Sequence, residues 1–169
     1  MVYLEESLQM RQSIHGESTA HSDIADTLCT LGTTWSKIGE REKATRNLEQ
    51  SLQMRRSIHG ENTAHPDIAD GLGSFGIACL GNAWSKLEEH KRAIGYFEQS
   101  LQMRQTIHGT PHPDIADAQR DLGIAWCKLE VHSKAIGHFE QSLQMRRRIH
   151  GESTPHPDIA NAQGDYFLG

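Results

Sequence analysis

The chain has 169 residues, 23% charged and 36% hydrophobic, with a formal net charge of −5. That suits one compact domain or a short repeat array and lacks the basic excess of a general nucleic-acid binder. No apolar run approaches the ~20 residues of a membrane-spanning helix, and residues 1–10 are too polar for a signal peptide.

In chain order, the first predicted element is a helix over 3–14 that carries Ser7-Leu8-Gln9-Met10-Arg11 and runs into His15-Gly16. The same five-residue phrase returns at Ser51, Ser100 and Ser142, at intervals of 44, 49 and 42 residues, so the chain is a repeat. A loop then leads to Ser22-Asp23-Ile24-Ala25, and Asp-Ile-Ala recurs at Asp67, Asp114 and Asp158. Pro66, Pro113 and Pro157 replace Ser22 in the later copies. Proline suits a first helical position because its missing N–H is not needed there, and the Asp that follows meets the positive end of the helix dipole. This first helix ends on Trp35-Ser36-Lys37, matched by Trp84-Ser85-Lys86 and Trp126-Cys127-Lys128.

A second helix follows each first one. Over 91–107, Ala93, Phe97, Ser100, Leu101 and Ile107 share one face, with Glu98, Gln102 and Gln105 opposite. Over 113–129, Ile115, Ala118, Leu122, Ala125, Trp126 and Leu129 do the same for a first helix. Gly16, Gly60, Gly109 and Gly151 stand where a left-handed residue stops a helix. No stretch shows the two-residue period of a strand. The parts divide at 3–21, 22–64, 65–111, 112–155 and 156–169. The reading expects an array truncated at both ends, with frayed terminal helices and further repeats of a parent chain.

One spacing is anomalous. Pro66 to Trp84 takes 18 steps where Ser22 to Trp35 and Pro113 to Trp126 take 13. Five extra residues turn a helix by about 500°, leaving its face about 140° out of register. Phe75-Gly76-Ile77-Ala78 and Leu80-Gly81-Asn82-Ala83 both match Leu122-Gly123-Ile124-Ala125, which points to a short internal duplication. The expectation is that Leu80, Gly81 and Trp84 keep the core register while the segment before Gly76 kinks or lengthens the helix.

Leu31-Gly32, Trp35, Gly39, Ala44, Leu48 and Ser51 stand at the spacings of the tetratricopeptide signature. So do Leu80-Gly81, Trp84, Ala93, Phe97 and Ser100, and again Leu122-Gly123, Trp126, Ala135, Phe139 and Ser142. With a period of 42–44 residues and an Ile-His-Gly…His-Pro linker, the chain resembles the kinesin-light-chain and nephrocystin-like variant of that repeat. Glu88 and Glu130 depart from it, standing in place of the turn glycine found at Gly39. The resemblance implies an all-α, right-handed α-solenoid of antiparallel helix pairs. Small residues such as Gly32, Ala44 and Ser51 let paired helices approach, while Trp35 and Leu48 fill the gap. Burying one such large side chain is worth ~1.5–3 kcal/mol, and stacked neighbours supply the cover that one pair lacks.

The resemblance further implies a protein-interaction scaffold whose first helices line a concave groove. Its candidate residues are Thr33, Lys37, Asn82, Lys86, Arg120, Ile124 and Lys128. A row of ammonium groups at Lys37, Lys86 and Lys128, joined by the Asn82 amide, suits an extended peptide with acidic residues. The family's carboxylate clamp is not matched, because Ala78 stands where its lysine belongs. The alternatives are solvated lysines on a polar face, and an architectural spacer or the sensor segment of a larger multidomain regulator.

Catalytic and metal chemistry find little support. Cys29, Cys79 and Cys127 occupy different repeat positions, and three scattered cysteines fit reduced thiols in a cytoplasmic protein. Eight of the eleven histidines fill two repeat positions: His15, His59, His108 and His150 in a last helical turn, and His21, His65, His112 and His156 before the next helix. A pair about six residues apart across a loop is no compact ligand motif, so these read as linker residues with no metal or cofactor. The glycines from 71 to 81 lack the Lys-Ser/Thr of a phosphate loop, and no nucleophile elbow or paired carboxylates appear, so no enzyme is expected. Arg11, Arg55, Arg104 and Arg146 are expected to pack their stems and reach loop carboxylates such as Asp67, Asp114 and Asp158.

Overall fold

The computed structural model of the protein describes residues 2–16, 19–81, 87–152 and 154–168. Among them it has eight helices and no strand: α1 (Val2–His15), α2 (Ser22–Ile38), α3 (Arg41–His59), α4 (Pro66–Gly81), α5 (Leu87–His108), α6 (Pro113–Lys128), α7 (His132–His150) and α8 (Pro157–Leu168). Helices pair as α2 with α3, α4 with α5 and α6 with α7. α2 also touches α4, α4 touches α6, and each second helix packs on the next first helix. The result is an all-α solenoid in which the first helices form one layer and the second helices the other.

The sequence builds these pairs from a repeated apolar stripe. On α2, Ile24, Leu28 and Leu31 are buried, with Trp35 half-buried one turn on; on α6, Ile115, Gln119 and Leu122 are buried, with Trp126 following. These positions fall at steps of four, seven and eleven, one face of a helix. Opposite them, Ala44 and Leu48, Ala93 and Phe97, and Ala135 and Phe139 are buried on the second helices. Ser51, Ser100 and Ser142 are also buried, and each hydroxyl donates across the pair to the carbonyl of Ala25, Ala69 or Ala116 at 2.7–2.8 Å. A buried hydroxyl thus finds an acceptor without widening the helix–helix gap.

The second pair overturns the expected register. Ile68, Leu72, Phe75 and Cys79 are buried at the same four, seven and eleven steps, in one unbroken helix. A Cβ on Gly76 would stand 2.7 Å from the Phe97 ring, as one on Gly32 would meet Leu48 at 2.6 Å and one on Gly123 would meet Phe139 at 2.5 Å. Gly76 is therefore the close-approach glycine, not Gly81, and Phe75 rather than Leu80 fills the neighbouring position. Leu80 is half-buried at the margin of the core. Cys79 takes the place of Trp35 and Trp126, and Trp84 lies outside the described residues. The helix assignment is continuous from Pro66 to Gly81.

The five surplus residues fall after the stripe instead. α3 and α7 begin three residues before Ala44 and Ala135, whereas α5 begins six before Ala93. One added turn, Leu87 to Glu89, lengthens α5 at its start, and Glu89 pairs with Arg41 of the preceding second helix. Glu88 consequently lies in a helical turn and not at the turn-glycine position. Glu130 does occupy that position, with a φ of +59° where Gly39 has +91°. A non-glycine residue in the left-handed region carries a steric cost.

Arginines tie successive repeats together. Arg55 donates from Nη1 to the Asp67 carbonyl at 2.6 Å and from Nη2 to Asp26 Oδ1 at 2.8 Å, bridging the first helices on either side of it. Arg104 makes the same bridge between the Asp114 carbonyl and Asp70, and Arg146 pairs with Asp117 while its Nη1 lies 3.9 Å from Asp158 Oδ2. The expected partners Asp67, Asp114 and Asp158 are present. Asp26, Asp70 and Asp117 were not anticipated, although the phrase Asp-Ile-Ala-Asp repeats in the sequence.

Candidate functional site

The exposed face of the first-helix layer is set by the close-approach glycines. The residue after each glycine points away from the second helix, giving Thr33, Ile77 and Ile124 one register position on three neighbouring helices. The position five after each glycine gives Lys37, Gly81 and Lys128. Ile77 is 55% exposed and Ile124 36%. Thr33 is half-buried, and its hydroxyl donates back to the carbonyls of Cys29 and Thr30 at 3.1 and 3.0 Å.

Lys37 and Lys128 are exposed on this face. Gly81 holds the equivalent position in α4. Lys86 and Asn82 lie outside the described residues. Ile77 takes the place that sequence spacing assigned to Asn82. It was signalled by the match of Phe75-Gly76-Ile77 to Leu122-Gly123-Ile124. Arg120 is half-buried, with Nη2 3.4 Å from Asp121 Oδ1. Burial raises the Asp121 carboxyl above its ordinary value, against the opposing pull of Arg120. Ser36 is turned inward, its hydroxyl 3.3 Å from the Ala78 carbonyl.

Two rings elsewhere on the array are covered by ammonium groups. Lys43 Nζ lies 4.3 Å from the Trp35 ring centre and Lys134 Nζ 3.9 Å from that of Trp126. Both indoles are half-buried and packed from the outside by a cation, an arrangement worth ~0.5–1 kcal/mol at an exposed site. The polar substitution at Gln119, where the stripe elsewhere has Leu28 and Leu72, is satisfied locally. Its amide donates to Gln141 Oε1 at 2.8 Å, and its carbonyl lies 2.7 Å from His138 Nδ1. Burial lowers the His138 imidazole below its ordinary value.

The linker histidines come together despite their separation in the chain. His15 with His21, His59 with His65, His108 with His112 and His150 with His156 stack with ring centres 3.4–3.7 Å apart. Each pair has an aspartate beside it, Asp23, Asp67, Asp114 or Asp158, with one nitrogen or oxygen of each residue within 4.8 Å of the others. The expectation of a dispersed pair is corrected, since the loop folds back and sets the two rings face to face. Cys79 is buried and its thiol is pushed up to about 11, chiefly by loss of solvent. No helix among the described residues is long and apolar enough to cross a membrane.

The sequence matches models of the tetratricopeptide repeat over residues 24–67 and 74–148. No curated protein matches it. Among solved structures, BtubC (BKLC) from P. vanneervenii superposes with a TM-score of 0.73 at 14% identity, over 99% of this chain and 64% of that one. The nearly identical TPR-like repeats ascribed to a kinesin light chain of Podosopora anserina give a TM-score of 0.67 at 18% identity, over 86% of this chain and 65% of theirs. A single-substitution variant of the same repeats gives 0.67 at 17%, over 83% and 62%. These likenesses show a shared fold, and the chain spans a little under two thirds of the length of each structure.

Proposed function

The chain belongs to the tetratricopeptide-repeat family, and on that premise we propose that it is a protein-interaction scaffold, taking an extended segment of a partner protein along its layer of first helices. Repeats of this family mediate protein–protein contacts, and the helix layers described above provide a continuous face for one. The observation that carries the reading is the pair of exposed isoleucines, Ile77 and Ile124, at one register position on adjacent helices. Their shared register position on adjacent helices of one layer is the reason for placing the contact there.

Lys37 and Lys128 are exposed at the same register position of α2 and α6 and supply positive charge to this face. The favoured partner is an extended peptide with an apolar centre and acidic residues toward its ends, steered by the lysines and held by the isoleucines. Binding, rather than catalysis, is the activity this face supports.

The test starts from peptides selected on the wild-type chain out of a displayed random library. Their affinity is then measured by fluorescence anisotropy for Ile77→Glu, Ile124→Glu and the pair Lys37→Glu with Lys128→Glu. Each substitution should weaken binding about tenfold, the ~1.4 kcal/mol expected when one contact of a small interface is lost. Unchanged affinity in the isoleucine variants, with unchanged melting temperature, would remove the groove reading.

A further inference from the structure

We infer that the linkers between repeats are binding sites for a divalent transition-metal ion of the zinc type, the second linker above all, where His59, His65 and Asp67 form a three-donor set. Separation along the chain conceals this set, and the fold-back of the loop between α3 and α4 assembles it. His59 Nε2, His65 Nδ1 and Asp67 Oδ2 lie within 4.8 Å of one another, and all three residues are half-buried. His59 Nε2 is 2.8 Å from Asp67 Oδ2, and His65 Nδ1 is 3.7 Å from the same oxygen. Bonds of ~2.0–2.2 Å to a tetrahedral ion place neighbouring donors ~3.3–3.5 Å apart. The two edges fall on either side of that spacing. Two imidazoles with one carboxylate favour zinc over calcium or magnesium, which take oxygen donors.

The three other linkers repeat the set. Their first-histidine Nε2 atoms lie 3.2–3.8 Å from the aspartate Oδ2, and their second-histidine Nδ1 atoms 3.6–3.9 Å from it. In the third linker, His108 Nε2 is sealed from solvent and makes no hydrogen bond among the described residues. A buried polar atom without a partner calls for one, and an ion beside Asp114 supplies it.

The surrounding charge also favours a cation. Arg55 donates to the Asp67 carbonyl and to the Asp26 carboxylate, so the Asp67 carboxylate is left to the two imidazoles. Arg104 faces both Asp114 and Asp70, and Arg146 both Asp158 and Asp117. Each guanidinium is thus shared between two aspartates, and each linker keeps surplus negative charge. In the third and fourth linkers an arginine Nη1 stands 3.8–3.9 Å from the ligand carboxylate and competes with an ion. The second linker has no such competitor, which ranks it first.

Two contacts give way when the ion enters. It replaces the proton between His59 Nε2 and Asp67 Oδ2, which moves to Nδ1 of the same ring. His65 Nδ1 gives up the Asp67 N–H at 3.2 Å, one of the first amides of α4, which water also satisfies. The rings stack with centres 3.4 Å apart and planes 11° from parallel, so one must turn for both lone pairs to meet the ion. His65 is the ring with room to turn, its side chain 34% exposed against 19% for His59. The bound ion then ties the last turn of α3 to the first turn of α4.

The experiment adds zinc chloride to the full chain, stripped of metal and kept reduced, at about pH 7.5, where an ordinary imidazole is mostly unprotonated. Calorimetric titration should show saturable binding, and melting temperature should rise with zinc and fall back on chelation. His65→Asn keeps an oxygen able to cap α4 but removes the nitrogen ligand. It should weaken the tightest binding step at least about tenfold, the loss that even a residue behind a ligand causes. His90→Asn, outside the linkers, should bind as wild type does. A second measurement needs no variant to fold: cobalt(II) below one equivalent, added to wild type, should broaden the NMR signals of His59, His65 and Asp67 first. Absence of saturable zinc binding, or His65→Asn binding as tightly as wild type, would overturn the site. So would cobalt broadening centred on His90, Cys29 or Cys127.

Discussion

Gly76 lies so close to Phe97 that a Cβ added to it would stand 2.7 Å from Cε1 of the ring. Gly76→Ala should therefore cost about 1–3 kcal/mol, the ordinary range for forcing a methyl into a packed core. Gly95→Ala and Gly137→Ala meet nothing within 4 Å and should instead gain up to ~1 kcal/mol from helix propensity. Urea midpoints of the three variants measure this contrast directly. A neutral Gly76→Ala would undo the register assigned to α4.

The interhelical hydroxyls make a second comparison. Ser100→Ala and Ser142→Ala remove hydrogen bonds of 2.8 and 2.7 Å to Ala69 and Ala116. Each should cost about 0.5–1.5 kcal/mol. Ser57 bonds only its own helix, to the Gln53 carbonyl at the surface, so Ser57→Ala should stay within about 0.5 kcal/mol. Chemical denaturation with unchanged m-value separates lost stability from altered compactness.

Most of the fold was legible, and the exception has a physical cause. Repeated phrases fixed the helix pairs, and prolines and glycines fixed their ends, because those residues act through backbone geometry alone. In the second pair, two stretches match the signature equally well, and spacing alone does not choose between them. Ile68, Leu72, Phe75 and Cys79 already formed a continuous stripe. A helix cannot turn its face by about 140° between Leu72 and Leu80 without a break that nothing required. On the face proposed for a partner, the register of Thr33, Lys37, Ile124 and Lys128 followed from spacing, whereas that of Ile77 was hidden behind the same register choice. The histidine pairs were not readable, since residues on either side of a loop reveal nothing about whether the loop folds back on itself.

The bridging arginines should resist replacement by lysine. Arg55 is buried and uses two different nitrogens for Asp67 and Asp26, a fork that a single ammonium group does not reproduce. Arg55→Lys should cost about 1–3 kcal/mol, in the range of hydrogen bonds to charged groups. Arg11→Lys should cost less, because Arg11 reaches only the Asp23 side of the linker and its side chain is 39% exposed. A double-mutant cycle of Arg55→Ala with Asp26→Ala should return a coupling of about 0.5–3 kcal/mol; additivity would show that the bridge is geometric only.

Cys79 supplies the pH prediction with a defined sign. Burial pushes its thiol up to about 11 from an ordinary 9.0, with Arg92 the main opposing influence. At pH 8 only about one thiol in a thousand would then be the reactive thiolate. Iodoacetamide should therefore label Cys79 only as fast as the repeat opens, and its rate should rise with urea well before the equilibrium midpoint. The folded chain also keeps this proton over a range in which the unfolded chain has released it. By linkage, stability is fully present below about pH 9 and declines as pH climbs toward about 11. Lysines and tyrosines titrate in the same range, so the informative quantity is the difference between wild type and Cys79→Ala. The variant should lose less melting temperature between pH ~8 and pH ~10.5 than wild type does. Equal losses, or labelling of Cys79 at the speed of a free thiol, would mean that the position shared with Trp35 and Trp126 is open to water in α4.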